Sequence, residues 1–177
     1  PLQGRRWVIS HISTIPPRDI ERIVRMGLVL TTHTNNYLYK GLHAQAQRLP
    51  PERHGEIVPL RSLLNAGVKV SLATDNVPVS AFLPIWHTIA RTSYQIKERI
   101  GAGEALSRAD ALRCATVNGA HLTFDEDKKG SLEVGKLADL AVVSADPLVT
   151  EETSIPDTHS LMTMVGGRIV HETANWL

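Results

Sequence analysis

Two side chains, far apart in the chain, invite a chemical reading. The run RRWVISH is short and apolar and ends on His11. The run VKVSLATDN, residues 68–76, reads as a strand whose tip presents Asp75. A neutral imidazole and a carboxylate are donors suited to a borderline divalent cation such as Zn²⁺. Two donors fall short of the three protein ligands plus water usual for a catalytic zinc. On residue types alone a plainer reading stands beside it, in which His11 caps the next segment and Asp75 opens an Asx-type turn into NVPVS. The metal reading requires both groups to converge within about 10 Å on one ion, because zinc bonds are only about 2 Å long.

Strands must hold these groups, and the hydrophobic pattern supplies them. RWVIS reads as a short buried strand. Pro17 then opens a helix with Ile20, Ile23 and Val24 at helical spacing, and Gly27 closes it. LVLTTH follows as a second strand, ending on His33, which gives a βαβ unit. Residues 34–56 exceed the ~2–6 residues of an ordinary βα connection and carry two prolines, so they are expected to form a lid or binding loop. Tyr37, Tyr39 and His43 lie there as exposed aromatics that could line a pocket. Ile57, Leu60, Leu63 and Leu64 form a helical stripe stopped by Gly67, and VKVSLAT alternates as a third strand. A further helix carries Phe82, Trp86, Ile89, Ala90 and Tyr94 on one face, with His87 on its surface. Ser107 and Asp110 form a capping-box-like pair for the helix after it, with Gly119 as its stop.

The tail changes character. GSLEVGKLADLAVVSADP carries Gly-marked turns and a strand over 137–144, and Gly166-Gly167 between apolar arms is a hairpin signal. The class is α/β. Residues 1–120 have the rhythm of a parallel sheet wrapped by helices, and 121–177 form a β-rich unit. A complete (β/α)₈ TIM-like barrel needs about 250 residues, so residues 1–120 are read as its last three βα units.

Bulk numbers bound the partners. The chain has 177 residues, 42% apolar and 21% charged, with a net charge of +1 and no dense Lys/Arg run. That argues against nucleic acid or an anionic membrane as the main partner. No apolar run reaches the roughly 18 residues of a membrane span, and a cytoplasmic location is expected. The single Cys114 excludes an internal disulfide framework and reads as an inert packed thiol. A start at Pro1 rather than Met reads as a piece of a longer chain.

VISH, LATDNVPV and above all KGSLEVGKLADLAVVSADP resemble the amidohydrolase superfamily of metal-dependent hydrolases, closest to the branch that cleaves N-acyl and related amide bonds. LSRADALRCATVNGAHL resembles the helix before the GSLEVGKLADL run. The resemblance covers nearly the whole chain, as the C-terminal portion of such an enzyme, and implies that 121–177 is a small β-sandwich subdomain. It implies that His11 is the metal ligand ending the sixth barrel strand. It makes Asp75 the ligand ending the eighth, and also the general base on metal-activated water. The cofactor implied is a divalent metal, Zn as first choice, and the substrate a small molecule with an amide-like C–N bond. His33, Tyr37 and Asn76 are candidate substrate contacts. Asn76 and Ser80 either support Asp75 or cap the next helix.

The pattern also calls for a His-x-His on the first strand, a Lys or Glu on the fourth and a His on the fifth. None is present, so the missing N-terminal part of the barrel is expected as a partner, and this portion alone is expected to be inactive. His121 and Asp139 read as structural, and His54, His159 and His171 as solvated. Two rivals stay open. One is a non-catalytic relative kept as a homo-oligomeric scaffold. The other is a small α/β binding module without metal, against which the lack of a Gly-rich phosphate loop counts.

Overall fold

The computed structural model describes residues 3–75 and 80–174. Three short strands, β1 (Val8–Ile9), β2 (Val29–His33) and β3 (Val70–Ala73), form a parallel sheet in the order β1-β2-β3. Helix α1 (Pro17–Met26) connects the first two. Pro17 occupies its first turn, where a missing N–H costs nothing, and Gly27 caps it at φ 64°. Ile20 and Ile23 face the core, where Leu30 and Val70 are fully enclosed.

The sequence reading of β1 as buried is corrected. Trp7, Val8 and Ile9 are 54%, 46% and 44% exposed. Among the described residues β1 pairs on one side only, with β2, so its other edge is open, and the side chains of Val8 and Ile9, on opposite faces, are both exposed.

The segment expected to be a loop is instead mostly helical. It forms a π-helical turn at Asn35–Lys40, helix α2 (Leu42–Ala46) and a 3₁₀ turn at Pro51–Glu56. Leu38, Leu42 and Ala46 recur every four residues and are buried, a helical spacing that the surrounding Asn, Gly and Pro concealed. Helix α3 (Leu60–Asn65) leads into β3, and α4 (Phe82–Ala90) follows it. Ser80 caps α4, its Oγ accepting from the N–H groups of Phe82 and Leu83 at 3.2 and 3.3 Å.

Helix α4 ends earlier than its apolar stripe suggested. Arg91 takes a left-handed conformation at φ 47°, which leaves Tyr94 outside the helix. The Arg91 side chain is fully buried, and it donates to the carbonyls of Ile57, Val58 and Ile100 at 2.8, 3.1 and 3.0 Å. Burial pushes its pKa down to about 10, with Glu104 acting against that, so it stays charged at neutral pH. One side chain thus clamps the helix after β3 to the segment entering α3.

Helices α5 (Arg108–Ala115) and α6 (Val117–Leu122) break at Thr116, so Gly119 lies inside a helix rather than ending one. Ser107 caps α5 as the spacing suggested, accepting from the Asp110 N–H at 3.1 Å. The tail adds β4 (Leu140–Val143), β5 (Ser160–Val165) and β6 (Arg168–Glu172), antiparallel in the order β4-β5-β6. Gly166 and Gly167 make the β5–β6 hairpin at φ 55° and 78°, as a primed turn demands. The described residues of the tail form this one three-stranded sheet. Val165, Ile169 and Val170 are exposed on it. The tail is nevertheless rooted in the main core, because Ile155 is fully buried there. Arg108 also donates to the carbonyls of Pro147 and Thr150.

Replacing Arg91 with Met strands three buried carbonyls. We expect Arg91→Met to cost roughly 3 kcal/mol or more in urea unfolding of the full-length protein, given about 1–3 kcal/mol per unsatisfied buried group. Arg91→Lys should recover only part of that loss, since a point charge cannot reach all three acceptors. An unfolding midpoint equal to wild type in Arg91→Met would refute the clamp.

Candidate metal centre

The parallel register brings the ends of all three strands to one edge of the sheet. Ile9 is level with Leu30, and His33 is level with Ala73. His11 follows β1 by two positions and Asp75 follows β3 by two. The chain after His11 stays alongside β2 through the Ile12 N–H, which donates to the Thr31 carbonyl at 3.3 Å. His11, His33 and Asp75 each offer a ligand atom, and these atoms lie within 4.8 Å of one another.

The local geometry is specific. His11 and His33 meet edge-on, with ring centroids 3.6 Å apart at 81°. His33 Nδ1 stands 3.8 Å from Asp75 Oδ2. His11 and Asp75 both leave their strands in the left-handed region, at φ 58° and 64°. A non-glycine residue held there costs of order 1 kcal/mol or more, and such strain tends to gather at functional sites. An open cleft of about 600 Å³ lies over His33 and Asp75, with Leu72, Ala73, Ala81 and Pro84 among its walls.

The residues present fit a cation. Two imidazoles and one carboxylate are the donor number and type of an open zinc site. Tetrahedral donors around zinc lie about 3.4 Å apart, so modest side-chain rotation would close this set around an ion. His33 Nδ1 is buried and lacks a hydrogen-bond partner among the described residues, which leaves its lone pair available. Burial, and then the neighbouring His11, push the His33 pKa down, while Asp75 pulls it the other way. The net result favours the neutral imidazole that a metal requires.

A family profile described as the amidohydrolase family matches residues 1–171. The chain belongs to the amidohydrolase family. An N-substituted formamide deformylase of Arthrobacter pascens is 34% identical over 124 residues, 68% of this chain and 22% of the deformylase. An uncharacterized metal-dependent hydrolase of Pyrococcus horikoshii shares the fold with TM-score 0.68 at 22% identity, over 82% of this chain and 30% of that one. An adenosine deaminase of Xanthomonas campestris with bound zinc superposes with TM-score 0.65 at 20% identity, over 93% of this chain and 37% of that one. This amidohydrolase chain thus spans about a fifth to two fifths of the length of these relatives.

The other sequence candidates divide. Tyr37 packs against the buried core, outside the three-residue cluster. Asn76 lies outside the described residues. Tyr39 is no exposed loop aromatic, because it stacks on His87 at 4.6 Å and meets Trp86 and Tyr94 edge-on. His54 is not solvated either, its Nε2 lying 3.1 Å from the Ala46 carbonyl. Cys114 is buried, and that burial pushes its thiol up to about 11, in keeping with an inert packed group. Asp139 accepts the Gly166 N–H at 2.7 Å and so braces the hairpin.

Two residues escaped the sequence reading. Asn36 donates from Nδ2 to Asp75 Oδ2 at 2.5 Å. It lies three residues beyond His33, at the exit of the strand beside β3. That adjacency is the available signal, whereas Asn76 and Ser80 are the nearer candidates along the chain. His87, expected on the surface of α4, is 1% exposed. Its Nδ1 lies 3.0 Å from Thr34 Oγ1, next to His33 in sequence. Trp86 beside it is amphipathic, so the helical wheel did not reveal which of the two faces inward.

Burial lowers the His87 pKa to about 3, well below its unfolded value of about 6.5. The folded state therefore resists protonation while the unfolded state accepts it. The contribution of His87 is intact above about pH 6.5 and is lost as pH falls toward 3, by at most about 1.4 kcal/mol per pH unit. Urea unfolding of the full-length protein at about pH 7 and about pH 4.5 should show this loss, and His87→Gln should flatten it. The same slope in both proteins would contradict the assignment.

Proposed function

We propose that the full-length protein is a metal-dependent hydrolase that cleaves an amide-like C–N bond in a small molecule. The carrying observation is the convergence of His11, His33 and Asp75, with ligand atoms within 4.8 Å of one another at the strand ends. The family assignment and the deformylase and zinc-bound deaminase relatives support the same chemistry. On this reading the three parallel strands are the closing βα units of a (β/α)₈ barrel, with 121–177 as a β-rich subdomain beside it. In such barrels functional side chains gather at the C-terminal ends of the strands.

His11 and Asp75 would hold the cation, with His33 as a third donor or as the neutral imidazole that faces the substrate. A divalent ion there would supply Lewis acidity toward the scissile carbonyl and acidify a water. Asp75 would take the proton from that water and pass it to the departing nitrogen, the double duty of a general base and then acid. The open cleft beside Asp75 and His33 would take the acyl or leaving group, and its Leu72, Ala73, Ala81 and Pro84 walls suit apolar matter. Asn76 and Tyr37 remain proposed substrate contacts of the full-length enzyme, on the family resemblance.

The test is amine release from a panel of N-formyl and N-acyl amines by the full-length protein. We expect turnover to stop on chelation and return with zinc. Asp75→Asn should lower kcat by at least about 100-fold, within the range removed with a positioned proton shuttle. Wild-type turnover in Asp75→Asn, or indifference to chelator, would reject the reading.

A further inference from the structure

We infer that Asn36 is a positioning residue that sets the orientation of the Asp75 carboxylate. The inference rests on the reading of Asp75 as metal ligand and proton shuttle. Asp75 alone is poorly constrained. It is exposed at the end of β3, and its backbone bends away in the left-handed region. A carboxylate in that position can rotate freely about its Cβ–Cγ bond unless something holds one oxygen. The Asn36 amide does so, donating from Nδ2 to Oδ2 at 2.5 Å.

Asn36 is itself held. Its carbonyl accepts the Gly41 N–H at 2.9 Å, which closes the π-helical turn. A Cβ at Gly41 would collide with that carbonyl, so the closure depends on glycine. Leu38 of the same turn is fully buried and anchors it to the core. The donor therefore comes from a braced turn on the neighbouring strand, while the acceptor sits on a strand end. The chemistry of the pair is directional. An amide N–H can only donate, so it fixes Oδ2, the oxygen that also stands 3.8 Å from His33 Nδ1, and with it the direction in which the carboxylate faces the two imidazoles. Partners that orient ligating groups in this way typically contribute 10–100-fold to metal affinity or activity.

Two variants of the full-length protein test this, read by zinc affinity in chelator competition and by kcat and KM separately. Asn36→Leu keeps the size and removes the donor. It should weaken zinc binding by about 10-fold or more and lower kcat by a similar factor, with KM within about threefold. Asn36→Ala removes the donor without adding a charge or bulk, so it should weaken zinc binding to a similar extent. If Asn36→Leu fails to fold, Asn36→Ala is decisive by the same readouts. A purely structural role would move the melting temperature without this split between kcat and KM. Wild-type zinc affinity and kcat in a folded Asn36 variant overturn the inference. Asp75→Asn, run alongside, separates the two ideas. If it retains zinc and turnover, the metal reading itself has failed. If it loses both while the Asn36 variants lose neither, only the positioning role is wrong.

Discussion

The candidate centre depends on one constraint, the parallel register of three very short strands. β1 has two residues and β3 has four, yet their pairing with β2 fixes where each chain leaves the sheet. Parallel pairing places all the exits on one edge, so groups remote in sequence meet there without any long side chain having to reach. A slip of one residue would turn His33 to the opposite face of the sheet and dissolve the cluster. The register in turn is held by burial. Leu30 and Val70 face each other across β2 and β3 with no exposure, and a slip would bring polar neighbours into that space.

Around this edge the helices serve as braces. The π-helical turn after β2 carries Asn36 to Asp75, and buried Leu38 and Leu42 root it. Helix α4 lies beyond Asp75, and its His87 meets Thr34 at the foot of the same turn. Arg91 at the end of α4 closes the circuit back to residues 57, 58 and 100. His87 with Thr34, and Arg91 with its three carbonyls, are thus hydrogen-bonded polar groups within the buried core. Their energetic weight comes from burial, which makes any partner left unsatisfied expensive.

Much of this was legible in the sequence, for physical reasons that can be named. Pro17 and Gly27 bracket α1 because backbone chemistry at helix ends is local. Alternation in VKVSLAT revealed β3, and Gly166-Gly167 revealed the hairpin. Asp75 stood out because an acid at a strand tip is chemically conspicuous. Information that depends on distant parts of the chain was hidden. The exposure of β1 follows from which neighbours it has, and local pattern cannot state that. Residues 34–56 looked irregular because Asn, Gly and Pro outweighed a buried spacing of four. The partnership of Asn36 with Asp75 crosses between strands, and the burial of His87 depends on which side of α4 meets Thr34. The family resemblance supplied what spacing could not, namely that His11 and Asp75 belong together.

The left-handed turns at His11 and Asp75 carry a consequence for any attempt to recast the site. Apart from glycine, the residues that enter this backbone region with least penalty are Asn, Asp and His. Conformation and coordination chemistry therefore admit nearly the same short alphabet at these two positions. A designer wishing to install Glu or Cys here, to favour a different ion, would be working against the backbone before any ion was bound. Exchange between His, Asp and Asn would leave the turns undisturbed, so retuning through those three should cost far less folding stability than through any other donors.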